Sequence, residues 1–89
     1  MIYAERIKMM RGKEHSNDLL EIDEIYVSGI GWKPKAYYYD YLTMNPNSIA
    51  VNIYPYPKLI KQISSSNEKF VKSEPDRYGF DNLMNLPRN

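Results

Sequence analysis

Residues 70 to 87 read without interruption as a strand, a tight turn and a terminal apolar clasp, and any fold for this chain has to close around them. Phe70 and Val71, set between Lys69 and Lys72, suit a short strand at a sheet margin. Pro75-Asp76 followed by Gly79 supplies a fixed φ and a residue tolerant of positive φ, so the chain turns and the strand stops at about Glu74. Asp81 or Asn82 then caps a single helical turn carrying Leu83, Met84 and Leu86, which Pro87 ends. Chain ends fray unless tied down, so three apolar side chains here predict that the tail packs back onto the sheet with Leu83 and Leu86 mostly buried.

The pattern aromatic-aliphatic-basic-Ser, then Pro-Asp, then Asp-Asn-Leu-x-x-Leu-Pro is present as Phe70-Val71-Lys72-Ser73, Pro75-Asp76 and Asp81-Asn82-Leu83-Met84-Asn85-Leu86-Pro87. It resembles the C-terminal signature of a family of small bacterial and phage proteins known only as a domain of unknown function. Arg6-Ile7-Lys8-Met9 is similar to that family's N-terminal strand. The family carries Gly directly after the Asp, whereas Arg77 and Tyr78 intervene here before Gly79, so a longer turn is expected. The resemblance implies a compact domain carried by phages or mobile elements, for which a small inhibitor of a host system is a fitting role. It transfers no active site.

Composition bounds the remainder. A chain of 89 residues reads as a single compact domain, 1–89, able to bury roughly two-thirds of its unfolded surface and to fold unaided. Hydrophobic content of 43% with 26% charged residues is ordinary for a globular chain. No apolar run approaches the roughly 18 residues that span a bilayer, so no membrane role is expected. The residues Met1 to Arg6 lack the apolar core of a signal peptide, and with no cysteines to staple an extracellular fold the expected location is cytoplasmic. A net charge of +1 provides no strong field to draw in nucleic acid or anionic lipid.

The periodicity predicts a first strand from Ile2 to Met10 and a polar loop from Arg11 to Asp18. A second strand is predicted from about Leu20 to Ser28; its polar and apolar faces do not separate, which suits a strand bulged midway or changing neighbours. Gly29-Ile30-Gly31 releases it, and Pro34 occupies the first turn of a helix of about ten residues that ends before Asn45-Pro46. Ser48 to Tyr54 alternates as a third strand, and Tyr54-Pro55-Tyr56-Pro57 is an extended joint. Lys58 to Ser64 and Glu68 to Ser73 form a hairpin across Ser65-Ser66-Asn67. The expected architecture is α+β: an antiparallel sheet of about five strands, one central helix across a face, and a short C-terminal helical turn at the edge.

No catalytic set emerges. His15, the single histidine, reads as a solvated loop residue, and Glu14, His15 and Asp18 lack the convergent support of a metal site. Glu21, Asp23 and Glu24 read as a solvated strand face rather than an acid pair, and Gly29-x-Gly31 lacks the third glycine of a dinucleotide loop. No cofactor and no metal are expected.

The aromatic residues are the compositional oddity. Nine tyrosines and Trp32 exceed what a small core hides with every hydroxyl satisfied, so some rings must reach the surface. Exposed Tyr and Trp are enriched at protein interfaces. The expected function is therefore a non-enzymatic binding or accessory protein acting on a protein partner through Trp32, Tyr37, Tyr38, Tyr41, Tyr54 and Tyr56. The alternative is a nucleic-acid-binding domain that uses the same rings with Lys33, Lys35, Lys58 and Lys61 as a stacking platform.

Overall fold

The structure, a computed structural model, describes residues 1–75 and 81–88. Its elements are β1 (Ile2–Met9), a 3-10 turn at Leu19–Glu21, β2 (Ile22–Val27), β3 (Gly31–Pro34), α1 (Lys35–Met44), β4 (Ile49–Val51), β5 (Leu59–Ile63), β6 (Lys69–Ser73) and a second 3-10 turn at Asn82–Asn85. The class is α+β, as expected. The strands are divided differently: a four-stranded sheet ordered β3-β2-β1-β4 stands beside the β5-β6 hairpin. The sheet is also mixed, because β1 and β4 run parallel. The cause is α1, which carries the chain back across the sheet so that β4 runs in the same direction as β1.

The irregular apolar spacing of the first two strands is resolved by two bulges. Register shifts fall between Ala4 and Arg6, and again between Lys8 and Met9, as β1 pairs with β2. One extra residue, Glu5, enters β1, and one, Asp23, enters β2. Each keeps the apolar residues pointing inward: Ala4, Ile7 and Met9 on β1, and Ile22, Ile25 and Val27 on β2, are all buried. Alternation around the bulges sends Tyr3, Arg6 and Lys8, with Glu24 and Tyr26, to the opposite face.

Two features depart from the expected elements. Gly31-Trp32-Lys33-Pro34 is a strand rather than a helix lead-in; it pairs antiparallel with β2 from Val27↔Gly31 to Glu24↔Pro34. Gly29, at φ +84, turns the chain between them, and Pro34 precedes the helix instead of opening it. The third strand is shorter than expected because the Ile53 N–H donates to the Val51 carbonyl (2.8 Å), bending the chain away from β1.

One side of α1 packs on the hairpin and another on β2 and β3. Its buried positions are Lys35, Tyr38 and Leu42, spaced along one helix face. Tyr39 and Tyr41 cover the rim of the same core. The hairpin is joined to the sheet by a bridge between Ala50 and Lys58 and by the Val51 N–H, which donates to the Pro57 carbonyl at 2.8 Å.

The tail closes the fold. Leu83 and Leu86 are buried, as expected, with Met84 beside them. Asp81 is the cap: its carboxylate accepts from the Leu83 N–H (2.9 Å) and from the Ser73 hydroxyl (2.9 Å), tying the turn to the end of β6. Beyond Ala4, where β4 ends, the tail takes up the same edge of β1: the Ile7 N–H donates to the Pro87 carbonyl at 3.0 Å. Arg88 then reaches the loop before β2, donating to the carbonyls of Glu14 (3.0 Å) and Ser16 (2.7 Å). The turn expected between Pro75 and Gly79 lies, from Asp76 onward, outside the described residues. Among the described residues no helix is long and apolar enough to cross a membrane.

Candidate binding face

The face of the four-stranded sheet away from α1 gathers aromatic rings into two groups. Tyr26 and Trp32, directly opposite on β2 and β3, meet edge to face with ring centroids 5.6 Å apart. Tyr56 meets Tyr3 of β1 at 6.1 Å, and Tyr54 meets Tyr56 at 6.0 Å, both edge to face. Tyr56 takes a positive φ of 63° in the Tyr-Pro-Tyr-Pro joint, and its ring lies against Tyr3 of the sheet. Tyr54 is 82% exposed and Tyr56 49% exposed, while Tyr3, Tyr26 and Trp32 are half-buried. Arg6 stands opposite Tyr26 on this face, and Lys8 opposite Glu24. The charge around the rings is therefore of both signs.

The six aromatic residues expected to form one surface are separated by the fold. Trp32, Tyr54 and Tyr56 lie on this face. Tyr38 does not: it is fully buried, and its hydroxyl donates to the Gly31 carbonyl at 2.6 Å, so no partner reaches it. Burial, with lesser contributions from neighbouring Tyr37 and Glu24, pushes its ionisation well above the ordinary tyrosine range. Tyr41 is half-buried against the core. Tyr37 is exposed at the start of the helix, edge to face with Tyr38 at 5.3 Å. Tyr3 and Tyr26 complete the face and were not singled out from sequence. Their signal was alternation, since Tyr3 precedes the core residue Ala4 and Tyr26 lies between Ile25 and Val27, but it becomes legible only once the bulges are placed.

Three of the four lysines of the alternative reading, Lys33, Lys35 and Lys61, lie away from these rings. Lys35 is buried; its ammonium donates to the Ile22 carbonyl (3.0 Å) and pairs with Glu68 at 2.9 Å, which makes it a tie between helix and hairpin rather than a phosphate ligand. Lys61 turns toward α1, 3.1 Å from the Thr43 hydroxyl and 5.2 Å from the Tyr39 ring centre. Lys33 lies 5.3 Å from the Tyr37 ring centre, and Lys58 is half-buried where the hairpin begins. Among the described residues, the basic ones that share the aromatic face by register are Arg6, Lys8 and Lys58, the last across Ala50 from Tyr3.

The acidic loop serves local structure. Glu14 accepts the Gly12 N–H at 2.9 Å, and bonds from the Glu14 and Gly12 N–H groups hold its carboxyl below the usual range. Glu21 is lowered likewise, first by the Ser16 hydroxyl and then by Lys13, 3.3 Å away. Asp18 caps the Leu19–Glu21 turn through the Leu20 N–H, and His15 is exposed. Among the described residues no three His, Asp or Glu side chains group to hold a metal ion.

No family model matches the chain, and neither a curated protein nor a solved structure matches it.

Proposed function

We propose that this chain is a non-enzymatic binding module that engages a protein partner through Tyr3, Tyr26, Trp32, Tyr54 and Tyr56. The observation that carries the reading is the pair of edge-to-face ring groups on one sheet face, with Tyr54 82% exposed. Amphipathic rings offer large contact area at low entropic cost, and Trp and Tyr dominate the energetics of interfaces. The mixed charge contributed by Arg6, Lys8 and Glu24 suits the rim of a protein interface. A cytoplasmic setting fits a chain without cysteines.

A second reading is favoured by Arg6 and Lys8, which stand on the same face as the rings and would serve a single-stranded nucleic acid as phosphate ligands. Glu24 opposite Lys8 opposes it. The two are separated by affinity capture from the source cells with the native chain and a Trp32→Ala/Tyr54→Ala variant side by side. The protein reading expects a bound protein that the variant loses. Capture of nucleic acid alone, released steeply by salt in an Arg6- and Lys8-dependent way, overturns it.

A further inference from the structure

The β5-β6 hairpin leaves one backbone edge unpaired. Its register runs without a shift from Leu59↔Ser73 to Ile63↔Lys69. Two bonds beyond the strand ends set its phase: the Ser64 N–H donates to the Glu68 carbonyl at 2.9 Å, and the Glu74 N–H to the Lys58 carbonyl at 2.8 Å. Antiparallel pairs alternate between those that exchange hydrogen bonds and those that do not. Lys58 and Ser64 are bonding positions, so Ile60 and Gln62 also face β6. The N–H and C=O groups of Lys61 and Ile63 therefore point the other way.

Nothing among the described residues meets them there. On that side β4 meets the start of the hairpin through the Ala50–Lys58 bridge and the Val51 N–H bond to the Pro57 carbonyl before the two diverge, and Lys61, Gln62 and Ile63 are all exposed. The hairpin's other edge is closed at its Val71–Ser73 end, where both residues are buried, β6 packs against Leu19–Glu21 and the Ser73 N–H is taken by the Asp81 carboxylate at 3.1 Å. Where β4 and β5 part lies a cavity of about 140 Å³ lined by Leu42, Pro46, Asn47, Leu59, Ile60 and Lys61.

We infer that this edge docks an extended peptide segment of a partner protein, which adds a strand to β5 and places one aliphatic side chain in the cavity. The outward groups of Lys61 and Ile63 supply two donors and two acceptors at the repeat that alternate residues of an extended strand match. The cavity is well below the roughly 300 Å³ at which small-molecule pockets begin, and its walls are mostly apolar, which suits a single side chain. Lys61 contacts no carboxylate among the described residues, whereas Lys69, near the same Tyr39 ring, is paired with Asp40 at 2.9 Å. An acidic residue two positions from the aliphatic anchor, on the same face of the added strand, completes that charge. A second copy of this chain is the poorer occupant: three exposed edge residues bury far less than the roughly 1,000 Å² a stable interface needs, and self-pairing centred on Lys61 sets like charges opposite. The hairpin edge is separate from the aromatic face, and this inference does not rest on it.

The probe is a capped heptapeptide with valine and glutamate two residues apart and threonine at the intervening positions, titrated into isotope-labelled protein and followed by amide NMR and hydrogen exchange. Shifts centred on Lys61, Ile63 and Leu42 are expected, with slowed exchange of the Lys61 and Ile63 amides. Methylating the peptide nitrogens on the side that faces β5 should weaken binding at least about tenfold, as should Ile63→Pro, which removes an outward donor without breaking a β5-β6 bond. If Ile63→Pro does not fold, the methylated peptide carries the comparison alone. No shifts at about 1 mM peptide, equal binding of the methylated peptide, or shifts confined to the Tyr26–Trp32 face overturn the inference. Concentration-dependent self-association that protects the Lys61 and Ile63 amides overturns it in favour of a second copy.

Discussion

The Tyr38 hydroxyl donates a 2.6 Å hydrogen bond to the carbonyl of Gly31, so a helix side chain closes the first residue of β3. The bond ties the helix to the hairpin that carries Trp32. It also separates two tyrosine roles, with Tyr38 inside the fold and the rings on the outer face left for contact.

Tyr38→Phe keeps the ring and removes the donor, and is expected to cost about 1 kcal/mol in denaturant unfolding. The alkaline limb gives a second check. Because the folded state raises the ionisation of Tyr38, its contribution is fully present below the ordinary tyrosine value of about 10 and is lost as pH rises beyond it. Phenolate absorbance should therefore show one tyrosine ionising only as the chain unfolds. Tyr38→Phe should abolish that coupled step.

Leu86, 3% exposed, lies beneath the tail that bonds Ile7 through Pro87. Leu86→Ala is expected to lower stability by about 2 to 5 kcal/mol. Truncation at Asp81 should lower the melting temperature further, since it removes the cap, the apolar contacts and the Arg88 bonds together. An unchanged melt in either variant would show that the tail is not part of the core.

Lys35 and Glu68 form one ion pair whose two ends are unequally buried, at 10% and 43% side-chain exposure. Glu68→Ala lets Lys35 keep its bond to Ile22 and should cost no more than about 1 kcal/mol. Lys35→Ala leaves the Ile22 carbonyl without its donor and should cost about 1 to 3 kcal/mol. Equal losses, measured by chemical denaturation, would contradict this assignment.

Trp32→Ala and Tyr54→Ala are each expected to weaken partner binding by about 2 kcal/mol. Tyr54→Ala should leave stability within about 0.5 kcal/mol because the ring is mostly in solvent. Calorimetric titration beside thermal unfolding separates these effects. Tyr38→Phe should show the opposite pattern, with stability reduced and affinity retained.

Much of the local structure is legible in the chain itself. The hairpin across Ser65-Ser66-Asn67, the ten-residue helix ending at Asn45-Pro46, and the capped turn with buried Leu83 and Leu86 each depend on short-range signals: turn residues, a proline boundary, a cap and an apolar triplet. Only the tertiary structure decided which rings face solvent. The bulges at Glu5 and Asp23 each reverse the alternation, and their positions follow from how β1 and β2 pair rather than from either strand alone. The same holds for β3, four residues between a glycine and a proline whose strand character comes from pairing with β2, and for the parallel β1-β4 pair, which depends on where α1 returns the chain. Tyr38 and Tyr37 are adjacent and chemically identical; helix geometry turned one into the core and left the other at the surface.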